Sequence, residues 1–324
     1  MHLSLVLTQA EPVIPRFPVA IEPPDLGRWR AGNTGVAGFT TQCGPRPGPH
    51  VVVLALMHGN ELGGAVVLDR LLARLDGGDL RLVCGRLTLG FANLDAYARF
   101  DAAEPTASRF VDEDLNRVWD PAVLDGPRMS VELQRARAMR PVIDDADMLL
   151  DLHSMLWPSD PLILSGASAK GRGLASALGV PSLVVADHGH QTGPRVIDYP
   201  RFSGDGTDAA ACLVEAGQHW QPGTVDVMQA AVDALLAQTV LGGGPLAALP
   251  TVRCAEVTRA VTAVTSSFAF VQAFRGGDVV PRRNTLIAVD GTAEIRTPHD
   301  DCLLVMPTLR ASRGHTAVRL ARFI

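Results

Sequence analysis

The chain has 324 residues, of which 47% are hydrophobic and 19% charged, with a formal net charge of -5 at pH 7; this fits a soluble globular protein of one large domain or two. No long basic run is present, which argues against nucleic acid or an anionic membrane as partner, and the apolar runs fall short of the roughly 20 residues that span a bilayer. The first residues lack the Lys or Arg of a signal peptide, and the five cysteines (Cys43, Cys84, Cys212, Cys254 and Cys302) are scattered with no C-x-x-C pair, so a reducing cytoplasm is the expected compartment.

Residues 8–50 are rich in Pro and Gly and read as an irregular or short-strand lead-in, with His50 in a surface turn. Val51–Met57 is an apolar, partly β-branched run that stops at His58-Gly59-Asn60-Glu61. A helical pattern follows in Ala65, Val66, Leu68, Leu71, Leu72 and Leu75. This reads as a buried strand, a tight turn and a helix over 61–75. Ligands of open α/β sheets bind beyond the carboxyl ends of the strands. His58 and Glu61 can reach one point there, and both are zinc-ligand types; capping of the helix is the competing reading.

Leu80–Leu89 reads as a strand. A long polar stretch then reaches Arg109 and Asp114-Leu115-Asn116-Arg117, and stretches this long inside a domain are often functional. Residues 128–146 read as a helix with a kink or break at Pro141. Met148–Leu152 is a short apolar strand ending in His153, which repeats the earlier pattern. Two adjacent parallel strands would bring His58, Glu61 and His153 into one crevice. Further strands are expected at 162–164, 182–185 and 211–214, with helices at 168–178 and 225–240. His188 and His190 are read as a polar loop, because a catalytic zinc needs only three protein ligands. Glu215 stands at the end of the 211–214 strand, and His219 is read as structural. A Gly/Pro linker over 241–250 separates an expected domain of residues 1–244 from a small β-rich module, 250–324.

The order His58-x-x-Glu61, Arg109, Asn116-Arg117, His153, Glu215 resembles the succinylglutamate desuccinylase/aspartoacylase family of zinc amide hydrolases, which are relatives of the zinc carboxypeptidases. The matching pieces are His-Gly-Asn-Glu at 58–61, Asp-Leu-Asn-Arg at 114–117, Asp-Leu-His at 151–153, Glu-Ala-Gly-Gln-His at 215–219, and the stretch 296–307 near the end. The resemblance implies an α/β fold, with a carboxypeptidase-like mixed central sheet flanked by helices and a small C-terminal β-rich module. It implies one zinc ion per chain on His58, Glu61 and His153, with Glu215 as general base. It implies that Arg109 polarises the scissile carbonyl and that Asn116 and Arg117 hold a substrate carboxylate.

The departures are specific. Ala92-Asn93-Leu94 stands where many relatives have a Gly-Asn-Pro turn. No Arg occurs in 204–208, ahead of Glu215, where aspartoacylases use one; the nearest is Arg201. The only tyrosines are Tyr97 and Tyr199, so the role of a C-terminal Tyr is empty or passes to a group such as His299 or Arg310. These departures argue against N-acetylaspartate as substrate. The expected function is zinc-dependent hydrolysis of an amide in a small N-acyl amino acid. The alternatives are a carboxypeptidase acting on short peptides, which uses the same machinery, and a non-catalytic metal or small-molecule binding protein on the same scaffold. The oligomeric state, monomer or homo-oligomer, is left open.

Overall fold

A computed structural model describes residues 16–189, 192–242 and 251–324. In chain order the elements are β1 (Phe39–Cys43), β2 (His50–Ala55), α1 (Leu62–Asp76), β3 (Arg86–Phe91), α2 (Leu94–Tyr97), α3 (Pro121–Leu124), α4 (Val131–Asp144) and β4 (Met148–Met155). They continue with β5 (Leu162–Leu164), α5 (Ala169–Leu178), β6 (Leu183–Ala186), α6 (Pro200–Ser203), β7 (Ala210–Gln218) and α7 (Pro222–Gln238). The C-terminal strands are β8 (Arg253–Thr262), β9 (Ala269–Phe270), β10 (Val279–Val280), β11 (Leu286–Asp290), β12 (Ala293–Arg296), β13 (Cys302–Val305) and β14 (Thr316–Phe323).

β2 is apolar on both faces because both faces are covered, as parallel strands require. It pairs in parallel with β3 on one side and β4 on the other, and β4 pairs in parallel with β7. The sheet then turns mixed: β5 runs antiparallel to β7, β6 parallel to β5, β8 parallel to β6, and β14 antiparallel to β8. The full order is β1-β3-β2-β4-β7-β5-β6-β8-β14-β13-β10, with β12-β11-β9 as a separate small sheet. Alternate residues of each strand feed different cores. Val51, Val53, Leu150, Leu152 and Val214 pack with α1 and α7. Val52, Leu54, Leu149 and Leu213 pack with α4 and the 115–119 and 196–202 segments. The fold is α/β, with a large mixed sheet between helices and a β-rich C-terminal part.

Three expectations change. His50 is buried rather than at a surface turn: it opens β2, with Nε2 2.7 Å from Thr88 Oγ1 and Nδ1 3.0 Å from the Asp145 carbonyl. The strand expected from Leu80 begins only at Arg86, because the N–H groups of Val83 and Cys84 both donate to the Val240 carbonyl after α7. α4 runs through Pro141 without a break, forgoing only the bond that an N–H at 141 would make to the Arg137 carbonyl. The expected linker at 241–250 lies largely outside the described residues, as does His190.

Candidate active site

The turn after β2 is shaped by close approach. Leu56 takes a left-handed φ of 58°, a costly conformation for a residue with a side chain, and its carbonyl accepts from Asn93 N–H at 2.8 Å. A Cβ on Gly59 would lie 2.4 Å from the Ala96 carbonyl carbon and 2.5 Å from the Ser108 carbonyl oxygen. With none there, Gly59 N–H donates to the Arg109 carbonyl at 3.1 Å. The turn thereby docks the Arg109 segment beside His58.

Glu61 stands at the N-cap of α1 yet makes no side-chain capping bond, so the capping reading fails for this carboxylate. Its Oε1 lies 2.6 Å from His58 Nδ1. Its Oε2 accepts from Ser154 N–H at 2.7 Å and lies 3.3 Å from His153 Nδ1. The three side chains are buried, and their ligand atoms all lie within 4.8 Å of one another, a group that could hold a metal ion. Two ligands about 2.0–2.1 Å from one tetrahedral ion stand roughly 3.4 Å apart, so this spacing and this N, O, N donor set fit zinc. Each imidazole has a carboxylate behind it. His58 Nε2 is 3.0 Å from Asp114 Oδ1, and His153 Nε2 is 2.7 Å from Asp151 Oδ2. Ligating histidines commonly donate their second N–H in this way, which fixes the tautomer and leaves the other nitrogen free. Sequence reasoning assigned no role to Asp114 or Asp151. The signal was present in Asp151-Leu152-His153, since residues two apart on a strand share a face.

Charge states follow from the pairing. Burial works to raise the Glu61 carboxyl, but the His58 and His153 imidazoles outweigh it and hold the carboxyl well below its ordinary range. Burial works to lower His153; Asp151 and Glu61 outweigh it and raise the imidazole well above 6.5. Glu215 differs. It is the Cα partner of His153 across β4 and β7 and is 6% exposed. Its Oε2 has no hydrogen-bond partner among the described residues. Burial pushes its carboxyl up to about 8, against the pull of His153 and with a push from Glu61.

Arg109 is the most open member, with 36% of its side chain exposed. Its Nη2 lies 2.8 Å from His58 Nε2 and donates to Asp114 Oδ2 at 3.0 Å, and its Nη1 is 3.6 Å from Glu61 Oε1. Arg117 Nη1 donates to the Asn116 carbonyl at 2.6 Å, and Nη2 sits 3.9 Å from Asp114 Oδ2; burial brings its guanidinium down to about 10. Asn116 is engaged at both ends of its amide. Oδ1 accepts from Val196 N–H at 2.8 Å, and Nδ2 lies 3.2 Å from His153 Nε2 and 3.4 Å from Asp151 Oδ2. Thus His58, Glu61, Arg109, Asn116, Arg117, His153 and Glu215 gather around the carboxyl ends of β2, β4 and β7. His188 is open to solvent, near Glu256. His299 bonds to Thr258 and to the Asp300 carbonyl instead.

Residues 47–241 match the model of the succinylglutamate desuccinylase/aspartoacylase catalytic domain. Among solved structures, a succinylglutamate desuccinylase from Vibrio parahaemolyticus superposes with a TM-score of 0.70 at 16% identity, covering 89% of this chain and 86% of that one. An aspartoacylase family protein from Mesorhizobium loti gives 0.60 at 20% identity, with 88% of each chain covered. A product-bound ectoine utilization protein from Ruegeria pomeroyi gives 0.64 at 17% identity, covering 87% of this chain and 88% of that one. At such identities the structures speak for the fold, and the family assignment rests on the domain match, which takes in more than half of the chain. The chain belongs to the succinylglutamate desuccinylase/aspartoacylase family.

Proposed function

We propose that this protein is a zinc-dependent deacylase that hydrolyses the amide bond of a small N-acyl amino acid. The observation that carries the reading is Glu215, a buried carboxylate with one oxygen unpartnered among the described residues, set beside His153 of the candidate metal cluster. A non-catalytic binding protein has no use for such a group. His58, Glu61 and His153 would hold a zinc ion, which when bound would supply a Lewis acid able to lower the pKa of water from about 15.7 to about 7.

The side chains supply the rest. Glu215 takes a proton from the attacking water and returns it to the amide nitrogen as the C–N bond breaks and the new C–O bond remains. A carboxylate with a raised pKa holds that proton between the two transfers. Arg109 points an open guanidinium edge at the cluster and stabilises charge developing on the carbonyl oxygen, a role whose loss typically costs about 10²–10³ in rate. Arg117 takes the substrate carboxylate. Asn116 joins it by carrying the 195–198 segment against the site, since its amide ties Val196 to the Asp151–His153 pair. The five cysteines are free, which fits work in a reducing cytoplasm.

The test is hydrolysis of N-acetyl, N-succinyl and N-formyl amino acids and dipeptides by metal-quantified protein, with and without chelator. Chelator-sensitive cleavage of an acyl amino acid is expected. Glu215→Gln should keep its zinc and lose about 10²–10⁴ in kcat, whereas His153→Ala should lose the metal. Wild-type turnover in Glu215→Gln would refute the mechanism, and cleavage of peptides alone would make the protein a carboxypeptidase.

A further inference from the structure

The segment that follows β6 is held by charge. Asp187 stands just past the end of β6 at Ala186, and Arg195 meets it with a fork. Nη1 donates to Oδ2 at 3.0 Å and Nη2 to Oδ1 at 2.7 Å. Both side chains are buried. Asp198 engages the same guanidinium: it accepts from Arg195 Nε at 2.7 Å, from Nη2 at 3.0 Å and from the Arg195 backbone N–H at 3.1 Å. Burial works to lower the guanidinium, but the two carboxylates outweigh it and raise it, so the group stays charged. Arg319 Nε lies 3.8 Å from Asp187 Oδ2 and adds a second positive charge.

Three contacts join this segment to the stretch that carries Arg117. Val196 N–H donates to Asn116 Oδ1 at 2.8 Å. The Pro194 carbonyl accepts from Trp119 N–H at 3.4 Å. A Cβ on Gly193 would lie 2.0 Å from the Arg117 carbonyl oxygen, and its φ is 143°, so glycine is what lets the two backbones pass this close. Both partners are short. Leu115–Arg117 and Val196–Asp198 are single 3₁₀ turns, with few backbone bonds of their own to hold a side chain in place. The fixed point of the assembly is therefore Asp187, which the sheet carries. Two charges taken out of water are a weak source of stability. Two parallel hydrogen bonds between planar groups supply direction instead.

We propose that Asp187 and Arg195 are positioning residues: their ion pair seats the 193–196 segment on the sheet and so holds Asn116 and Arg117 in place for substrate, without meeting the substrate itself. This rests on the deacylase reading and on Arg117 as the partner of the substrate carboxylate. Arg195 spends Nε, Nη1 and Nη2 on the two aspartates, which leaves it no free fork for a ligand. The consequence is a split in the kinetics. His153 and Glu215 are set by β4 and β7, so loosening the pair spares the reacting groups and weakens the hold on the carboxylate. Binding lost equally from ground and transition states raises KM and leaves kcat unchanged.

The experiment compares zinc-loaded wild type, Asp187→Asn, Val196→Pro, Arg117→Gln and the double variant Arg117→Gln/Asp187→Asn. Val196→Pro keeps the ion pair and deletes only the N–H given to Asn116, so it carries the test if Asp187→Asn does not fold. Proline suits the position, because Val196 opens its turn and Arg195 has a φ of -80° and a ψ of 168°. Each protein is assayed on the best-cleaved N-acyl amino acid and on the same compound with its carboxylate made a carboxamide. Asp187→Asn and Val196→Pro should keep their zinc and raise KM for the acid by about tenfold or more, with kcat and the carboxamide reaction unchanged. In the Arg117→Gln background Asp187→Asn should add nothing, because both act through one guanidinium. A fall in kcat shared by acid and carboxamide, or the same effect of Asp187→Asn with and without Arg117, would make the pair a prop of the fold and overturn the proposal. Butyrate and butyramide, titrated calorimetrically against the same proteins, read the carboxylate site without turnover. A wild type indifferent between acid and carboxamide, in cleavage or in binding, would also overturn the proposal, as would a butyrate preference that Arg117→Gln loses and both Asp187→Asn and Val196→Pro keep. Butyrate preference lost in all three single variants, with no acyl amino acid cleaved by wild type, would keep the positioning pair and sink the deacylase.

Discussion

His219 lies behind the cluster, with Nδ1 2.8 Å from Ser154 Oγ and its ring edge-on to Trp220 at 5.3 Å. Burial is the first cause that brings its imidazole down to about 4, so it stays neutral in the fold. The unfolded chain takes up a proton below about 6.5. Stability from this group is therefore complete above that pH, falls as pH drops towards 4, and is flat below. By linkage the loss at pH 5 is roughly 2 kcal/mol. His219→Gln cannot be protonated, so urea unfolding at pH 7 and pH 5 should show a smaller acid loss in the variant by about that amount; equal losses would mean that His219 is not held neutral. At this scale the buried His58, Glu61 and His153 group, which could hold a metal ion, was legible from its residue types and their places after apolar runs. Asp151 was passed over although its place two residues before His153 on one strand face was readable; Asp114 was not assigned, because a carboxylate reaching a histidine from a distant loop is visible only once the nitrogen it faces is known.

The segment carrying Arg109 and Asp114 is irregular, and one helical carboxylate holds it. Glu132, fully buried on α4, accepts from the N–H groups of Val111, Asp112 and Glu113 at 2.6, 3.0 and 3.2 Å, and from Asn93 Nδ2 at 3.0 Å. Removing this acceptor leaves one buried donor, Asn93 Nδ2, and three part-buried N–H groups without it; a buried donor left unpaired costs about 1–3 kcal/mol. It also frees the loop that aims Arg109. Glu132→Ala should therefore lower the midpoint of thermal unfolding and reduce kcat of the refolded protein by at least about tenfold, an amount that small misplacement of a catalytic group can reach. Retained kcat in a destabilised variant would show that the loop keeps its geometry without the staple. Elements with strong periodicity, such as β2, α1, β4 and α7, were legible in their apolar patterns. β3 was read too early because Leu80–Leu89 is apolar enough for a strand, while the partner that takes its first N–H groups, the Val240 carbonyl, lies far along the chain. His50 was read as surface because Pro and Gly precede it, yet Thr88 on the neighbouring strand buries it.

Composition separates the chain at 241–250, and we propose 1–244 and 250–324 as its two domains. Their packing argues for mutual dependence. β8 pairs with β6 from Leu183↔Arg253 to Ala186↔Glu256 and carries β14, β13 and β10 beyond it. The core under the site includes Ala255, Leu303, Val305 and Ala321 from the later part together with Leu183, Val185 and Leu213 from the earlier. A chain cut after residue 244 would expose the unpaired edge of β6 and open that core, and such edges template aggregation. It would also leave Asp187 with Arg195 alone. The truncated chain should accumulate as insoluble protein, and the full chain should unfold in a single calorimetric transition, because a shared core couples the two parts. Two resolved transitions, or a soluble 1–244 fragment that melts cooperatively and binds zinc, would show instead that the sheet is self-sufficient as far as β6 and that the later strands are an appended layer serving the cleft alone.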